Sequence, residues 1–132
     1  MNKRLLAILL ISTISLAGCT TDPMWSRADA NEFSDLIENN QDAFLIDART
    51  QTEWEDDGHI EGATLIPHNN IKAQADDLPD DKEILILVYC RSGSRSQTAS
   101  QSLLDLGYTN VVDLDSGIYG WKDAGYSVIY GA

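Results

Sequence analysis

Two cysteines, two histidines and nine basic residues are all that this 132-residue chain offers of the groups that usually hold metals, disulfides or nucleic acids. A zinc-type site needs about four converging N, S or O ligands. His59 and His68 stand singly and Cys19 and Cys90 lie far apart, so no metal-ligating set and no cofactor is expected. The basic residues are outnumbered by 21 acidic ones, for a net charge of −12. Such a surface repels nucleic acid and anionic headgroups, and it keeps an exported domain soluble. Repeats and low-complexity segments are also missing, which leaves one domain large enough to bury a core without disulfides.

The first residues are of a different kind. Lys3-Arg4 is followed by an apolar stretch from Leu5 to Leu16, broken only by Ser and Thr, and then by small residues. This is the plan of an export signal. Its apolar core of about a dozen residues falls short of the roughly 20 that span a bilayer. Leu16-Ala17-Gly18-Cys19 resembles the bacterial lipobox, which implies cleavage before Cys19 and diacylation of its sulfur. Loss of Lys3 and Arg4 would leave 7 basic against 21 acidic residues, or −14. Two or three acyl chains anchor a protein stably to a membrane. Thr20 rather than Asp follows the cysteine, which implies the outer membrane, facing the periplasm, if the cell has two membranes.

The expected layout is therefore a signal peptide at 1–18, a lipidated tether at 19–27 and a folded domain at 28–132. With Cys19 held as a thioether, Cys90 is the only remaining thiol. No intramolecular disulfide can form, in a compartment where disulfides are the rule. An unpaired exported cysteine is either buried and inert or kept for reaction. The polar, basic, glycine-containing surroundings of Cys90 point to reaction.

Within the domain, Asp29 to Asn39 places Phe33, Leu36 and Ile37 on one helical face, with Asp29 as its cap. Ala43 to Ala48 reads as a buried strand ending at Asp47, Thr50 to Asp57 as a short acidic helix closed by Gly58, and Ala63 to Ile66 as a strand stopped by Pro67. Ile84-Leu85-Ile86-Leu87-Val88-Tyr89 has no polar alternation and reads as a strand buried on both faces. Ala99, Leu103 and Leu106 then recur at helical intervals, with Gly107 as the C-cap. Val111 to Leu114 is a strand and Ile118 to Ala124 a last helix. The alternation predicts an α/β domain with a mostly parallel central sheet and helices on both faces.

Between the central strand and its helix lies Cys90-Arg91-Ser92-Gly93-Ser94-Arg95-Ser96. Ligands of open α/β sheets bind outside the carboxyl ends of the strands, so Asp47 and Cys90 are expected on one rim. A tight loop running into a helix N-terminus turns several N–H groups toward one point and favours an anion there. The thiolate of Cys90 is the form that those amides, and the guanidinium groups of Arg91 and Arg95, stabilise. Gly93 permits a positive φ or close approach, and the small Ser92, Ser94 and Ser96 leave the pocket open.

This loop resembles the C-x-x-G-x-R active-site loop of rhodanese-type sulfurtransferases. Ile46-Asp47-Ala48-Arg49 resembles the family's strand-end Asp-x-Arg, Glu53-Trp54 its Glu-aromatic pair, and Gly58 to Ala63 its G-H-I-x-G-A. Ser116-Gly117-Ile118 with Trp121 resembles its G-G-x-x-x-W, with Ser116 in place of the first glycine. The resemblance runs from Trp25 to Tyr130. It implies a rhodanese-like fold without a cofactor, and a sulfurtransferase in which Cys90 carries a persulfide and Arg91, Ser92, Gly93, Ser94 and Arg95 form the substrate cradle. The implied partners are a small anionic sulfur donor such as thiosulfate, and cyanide or a thiol as acceptor. Arg91 is expected at the pocket mouth and Arg95 turned inward.

Asp47, Arg49 and Glu53 are expected to support the site through an ion-pair and hydrogen-bond network rather than to act as acids or bases. His59 is expected to be structural, and Trp54 and Trp121 to be core. Related phosphatases and arsenate reductases use C-x5-R, whereas Cys90 to Arg95 is C-x4-R. The shorter loop suits one sulfur atom surrounded by amides better than a tetrahedral oxyanion, and no acidic residue just precedes Cys90 to protonate a leaving group. A thiol sensor and a persulfide carrier use the same loop and remain the other functional classes.

Overall fold

Ile86, Leu87, Val88 and Tyr89 are buried without exception, and they form the middle of the molecule. The computed structural model describes residues 24–131. The expected signal peptide, Cys19 and most of the tether lie outside them. Along the chain the elements are β1 (Ser26–Ala28), α1 (Ala30–Asn39), β2 (Phe44–Asp47), α2 (Gln51–Asp57), β3 (Thr64–Leu65), β4 (Ile86–Tyr89), α3 (Arg95–Asp105), β5 (Val111–Leu114) and α4 (Gly117–Asp123). A single 3-10 turn occupies Ala75–Asp77. The sheet order is β1-β5-β4-β2-β3, and every pairing is parallel.

The missing polar alternation in β4 has a direct cause, because both faces of the sheet are covered. Ile86 and Val88 pack with Ile46, Ala99 and Leu103 beneath α3. Leu87 and Tyr89 pack with Phe33, Leu45, Ile118 and Trp121 beneath α1 and α4. Each fully buried Leu or Ile of this kind contributes about 1.5–3 kcal/mol. Two capping boxes set the helix starts. Asp29 accepts from the Glu32 amide at 2.9 Å and Glu32 accepts from the Asp29 amide at 3.0 Å. Thr50 and Glu53 repeat the exchange at the start of α2, at 3.2 Å each way.

Two boundaries differ from expectation by more than one residue. Ile84 and Leu85 precede β4 because the Ile84 amide turns back to the Asp81 carbonyl at 3.3 Å. Ser26 and Arg27, expected in the tether, are instead the first residues of β1, paired to Val112 and Asp113 of β5. A three-residue edge strand with two exposed positions has no apolar period to betray it.

Register positions the site. Asp47 lies opposite Tyr89, the residue before Cys90, so the carboxyl ends of β2 and β4 finish level on one rim.

Candidate active site

Cys90 leaves the end of β4 with its side chain buried, and its Sγ accepts a hydrogen bond from the Gly93 amide at 3.2 Å. The loop between them is held from outside by its carbonyls. The Cys90 carbonyl accepts from the Ile118 amide at 2.9 Å, and the Arg91 carbonyl from the Tyr119 amide at 3.2 Å. The Gly93 carbonyl accepts from Arg27 Nη2 at 2.7 Å and from Gln97 Nε2 at 3.1 Å. In a trans peptide unit the C=O and N–H point opposite ways. Turning these three carbonyls outward therefore turns the amides of Arg91, Ser92 and Ser94 the other way. Among the described residues none of those amides donates to a backbone carbonyl. Such a set of free N–H groups is a nest for an anion.

Two glycines make the close approach possible. Gly93 has φ +99°, and a Cβ there would lie 1.9 Å from the Asp115 carbonyl oxygen. Gly117 has φ +64°, and its Cβ would lie 2.3 Å from the Arg91 carbonyl. The expected roles of Gly93 and of the Ser116-Gly117 turn thus have one explanation: two loops touch there, backbone to backbone.

Arg95 opens α3 and is half-buried, with Nη1 and Nη2 donating to Glu53 Oε1 and Oε2 at 2.8 and 2.7 Å. The hydrogen bonds from Arg95, helped by the Thr50 cap, hold the Glu53 carboxyl down at about 2, and in return Glu53 raises the Arg95 guanidinium. Asp47 and Arg49 are both fully buried. Asp47 Oδ2 accepts from Arg49 Nη2 and from the Tyr89 hydroxyl, each at 2.7 Å, and Arg49 Nη2 also reaches the Gly58 carbonyl at 2.7 Å. Burial alone would depress the Arg49 guanidinium, but Asp47 outweighs it. Burial, and then the Asp47 charge, push the Tyr89 phenol well above its ordinary value, so it remains a donor. The expected single network is therefore two units. Asp47, Arg49 and Tyr89 brace the strand ends, and Glu53 and Arg95 brace the loop, with α2 joining them.

His59 sits with neither. Its ring is stacked on Trp54 with centroids 3.5 Å apart, and its backbone pairs with Ile129. Arg91 is exposed, with its guanidinium 5.0 Å from the centre of the Tyr119 ring and its Nε donating to the Tyr119 hydroxyl. Among the described residues no three His, Cys, Asp or Glu side chains converge as metal ligands would.

Arg27, Asp113 and Tyr119 had no assigned role in the sequence, and Ser96, expected to help leave the pocket open, is instead fully buried and bonded to Asp113. Asp113 is fully buried and accepts from Arg27 Nε at 2.9 Å, Arg27 Nη2 at 3.1 Å and Ser96 Oγ at 2.7 Å. A charged residue inside the apolar run Val111 to Leu114 was the available signal, since a buried carboxylate needs a partner.

Residues 29–124 match the family described as Rhodanese-like domain. The chain belongs to the rhodanese-like family. A protein named Sulfurtransferase from Allochromatium vinosum is 32% identical over 106 residues, covering 80% of this chain and 96% of that one. Among solved structures, a rhodanese-related protein from Thermoplasma volcanium superposes with a TM-score of 0.68 at 29% identity, over 81% of this chain and 100% of the other. A thiosulfate sulfurtransferase from Pseudomonas aeruginosa gives 0.72 at 28% identity, over 82% of this chain but only 21% of its own length. A solved structure named as a thiosulfate sulfurtransferase thus shares the fold of this rhodanese-like domain.

Proposed function

We propose that this chain is a sulfurtransferase that carries sulfane sulfur as a persulfide on Cys90. The observation that supports it best is the Gly93 amide on Cys90 Sγ at 3.2 Å, inside a loop whose carbonyls are tied outward. In the first step the Cys90 thiolate attacks the outer sulfur of thiosulfate. A sulfur–sulfur bond forms to Cys90, the donor's own sulfur–sulfur bond breaks, and sulfite leaves with the electron pair. The persulfide anion sits where the amides of Arg91, Ser92 and Ser94 point. Cyanide, or a thiolate, then attacks the outer sulfur, leaving as thiocyanate or persulfide and returning Cys90 as thiolate.

Sulfur transfer fits the loop better than phosphoryl transfer. Arg95 spends both guanidinium arms on Glu53, leaving neither to grip a tetrahedral oxyanion. The proposal extends to the anchor: Cys19 is lipidated, and the domain works at the envelope close to a membrane.

The test is intact mass of the purified protein before and after thiosulfate, followed by cyanide and a thiocyanate assay. Gain of one sulfur that cyanide removes, and that Cys90→Ser lacks, is the expected result. A folded, reduced protein that takes no sulfur from thiosulfate would overturn the thiosulfate reading, and rapid peroxide oxidation without turnover would replace it with a sensor.

A further inference from the structure

The strand that sequence reasoning missed ends beside the cradle. Arg27, on β1, projects along the rim to β5 and then to the loop. Its Nε and Nη2 take the two oxygens of Asp113 at 2.9 and 3.1 Å, and the same Nη2 donates to the Gly93 carbonyl at 2.7 Å. Asp113 is fully buried, whereas the Arg27 side chain keeps 38% of its surface in solvent. A buried carboxylate thus aims an edge guanidinium at one peptide of the loop. Ser96, in the first turn of α3, donates at 2.7 Å to Asp113 Oδ2, the oxygen that Arg27 Nη2 also takes, so one carboxylate ties β1, β5 and the start of the helix together.

That peptide matters because of its place. Gly93 contributes two peptide units to the cradle: the first carries the N–H on Cys90 Sγ, and the second carries the carbonyl that Arg27 holds and the amide of Ser94. Holding the carbonyl outward sends the Ser94 N–H inward. Gly93 has no side chain to limit its rotation, and its φ of +99° is one that few other residues share. Its orientation must be imposed by neighbours, and the charge-assisted bond from Arg27 is the shorter of the two that the carbonyl accepts.

We propose that Arg27 is a positioning residue of the sulfur cradle: clamped by Asp113, it sets the Gly93 peptide so that the Gly93 and Ser94 amides face the sulfur on Cys90. The inference rests on the sulfurtransferase reading, and it adds a residue from the edge strand, outside the Cys90 to Arg95 loop, to the machinery.

The experiment compares the full-length protein with Arg27→Met and Arg27→Lys. Two quantities are read per folded molecule: steady-state transfer from thiosulfate to cyanide, and the rate at which iodoacetamide alkylates Cys90 at neutral pH. In Arg27→Met, kcat falls about tenfold with the donor KM within about twofold, as expected when positioned donors are displaced from the reacting atom. The alkylation rate falls as well. Arg27→Lys keeps a charge beside Asp113, so it folds, but it loses the two-armed grip and shows a smaller fall of about threefold.

A purely structural role would lower the melting temperature and leave kcat per folded molecule and alkylation unchanged; that outcome in both variants overturns the proposal. Should the wild-type protein take no sulfur at all, the sulfurtransferase reading fails by itself. The alkylation comparison then still decides whether Arg27 sets the surroundings of Cys90.

Discussion

Arg95 and Glu53 meet two arms to two oxygens, at 2.8 and 2.7 Å, across the gap between α3 and α2. Both side chains are mostly covered, and the Arg95 hydrogen bonds hold the Glu53 carboxyl at about 2 against an ordinary 4.5. The folded-state value is depressed, so the pair contributes its full stability above the ordinary value and loses it as pH falls toward about 2. Urea unfolding of the wild-type protein and Glu53→Gln should differ by about 1–2 kcal/mol near neutral pH, after allowance for solvent screening. The gap closes on acidification below pH ~4. A gap that stays constant across that window would show that Glu53 is not paired in solution.

Tyr89→Phe removes one hydroxyl that does two things. It donates to Asp47 at 2.7 Å and accepts from the Ile60 amide at 3.0 Å, deep beneath the sheet. The variant leaves the Ile60 N–H without its partner and should lose about 1–3 kcal/mol in urea or thermal unfolding. Sulfur loading per folded molecule stays normal, since the hydroxyl braces the strand ends and does not reach Cys90. Loss of loading without loss of stability would contradict this.

Gly117→Ala tests the contact between the two loops. The added Cβ would lie 2.3 Å from the Arg91 carbonyl and 2.6 Å from the Ser92 amide, at a φ of +64°. Since the neighbour is backbone, the Cys90 loop must move. We expect at least a tenfold loss of transfer rate, on the order of what a displacement of about 1 Å costs, together with about 1–3 kcal/mol of stability. Kinetics on the folded fraction and calorimetry read the two effects apart.

Arg91→Ala tests attraction of the donor. Its guanidinium is exposed beside Tyr119, on a chain of net charge −12 that otherwise repels anions. The variant should raise the donor KM several-fold, about 3–10 times, with kcat nearly unchanged. The wild-type KM should climb with ionic strength and that of the variant should not. Identical salt dependence in the two proteins would remove Arg91 from the role.

Where a residue's own chemistry announced its surroundings, the sequence was a good guide. Ile86 to Tyr89 are apolar without interruption because helices lie on both faces, and Asp29 caps its helix as its short acidic side chain at that place announces. Cys90, Gly93 and Arg95 were legible as one loop because their spacing carries the geometry. What was hidden depends on contacts between distant segments. Arg27 and Asp113 are 86 positions apart, and Ser-Arg-Ala as a strand has neither length nor period. The division of Asp47, Arg49, Glu53 and Arg95 into two pairs was equally out of reach, because it depends on which way each side chain turns once α2 has packed.

The two outer strands of the sheet have a consequence for how this molecule behaves in a crowd. β1 has three residues and β3 two, and β1 carries the charged Arg27. An edge so short offers almost no row of free amides and carbonyls for another chain to extend. Copies concentrated against one another therefore have little to pair with, and their shared negative charge keeps them apart. A parallel sheet whose middle is buried on both faces is in this way kept from growing sideways, and the protein should remain monodisperse at concentrations where a longer-edged sheet would aggregate.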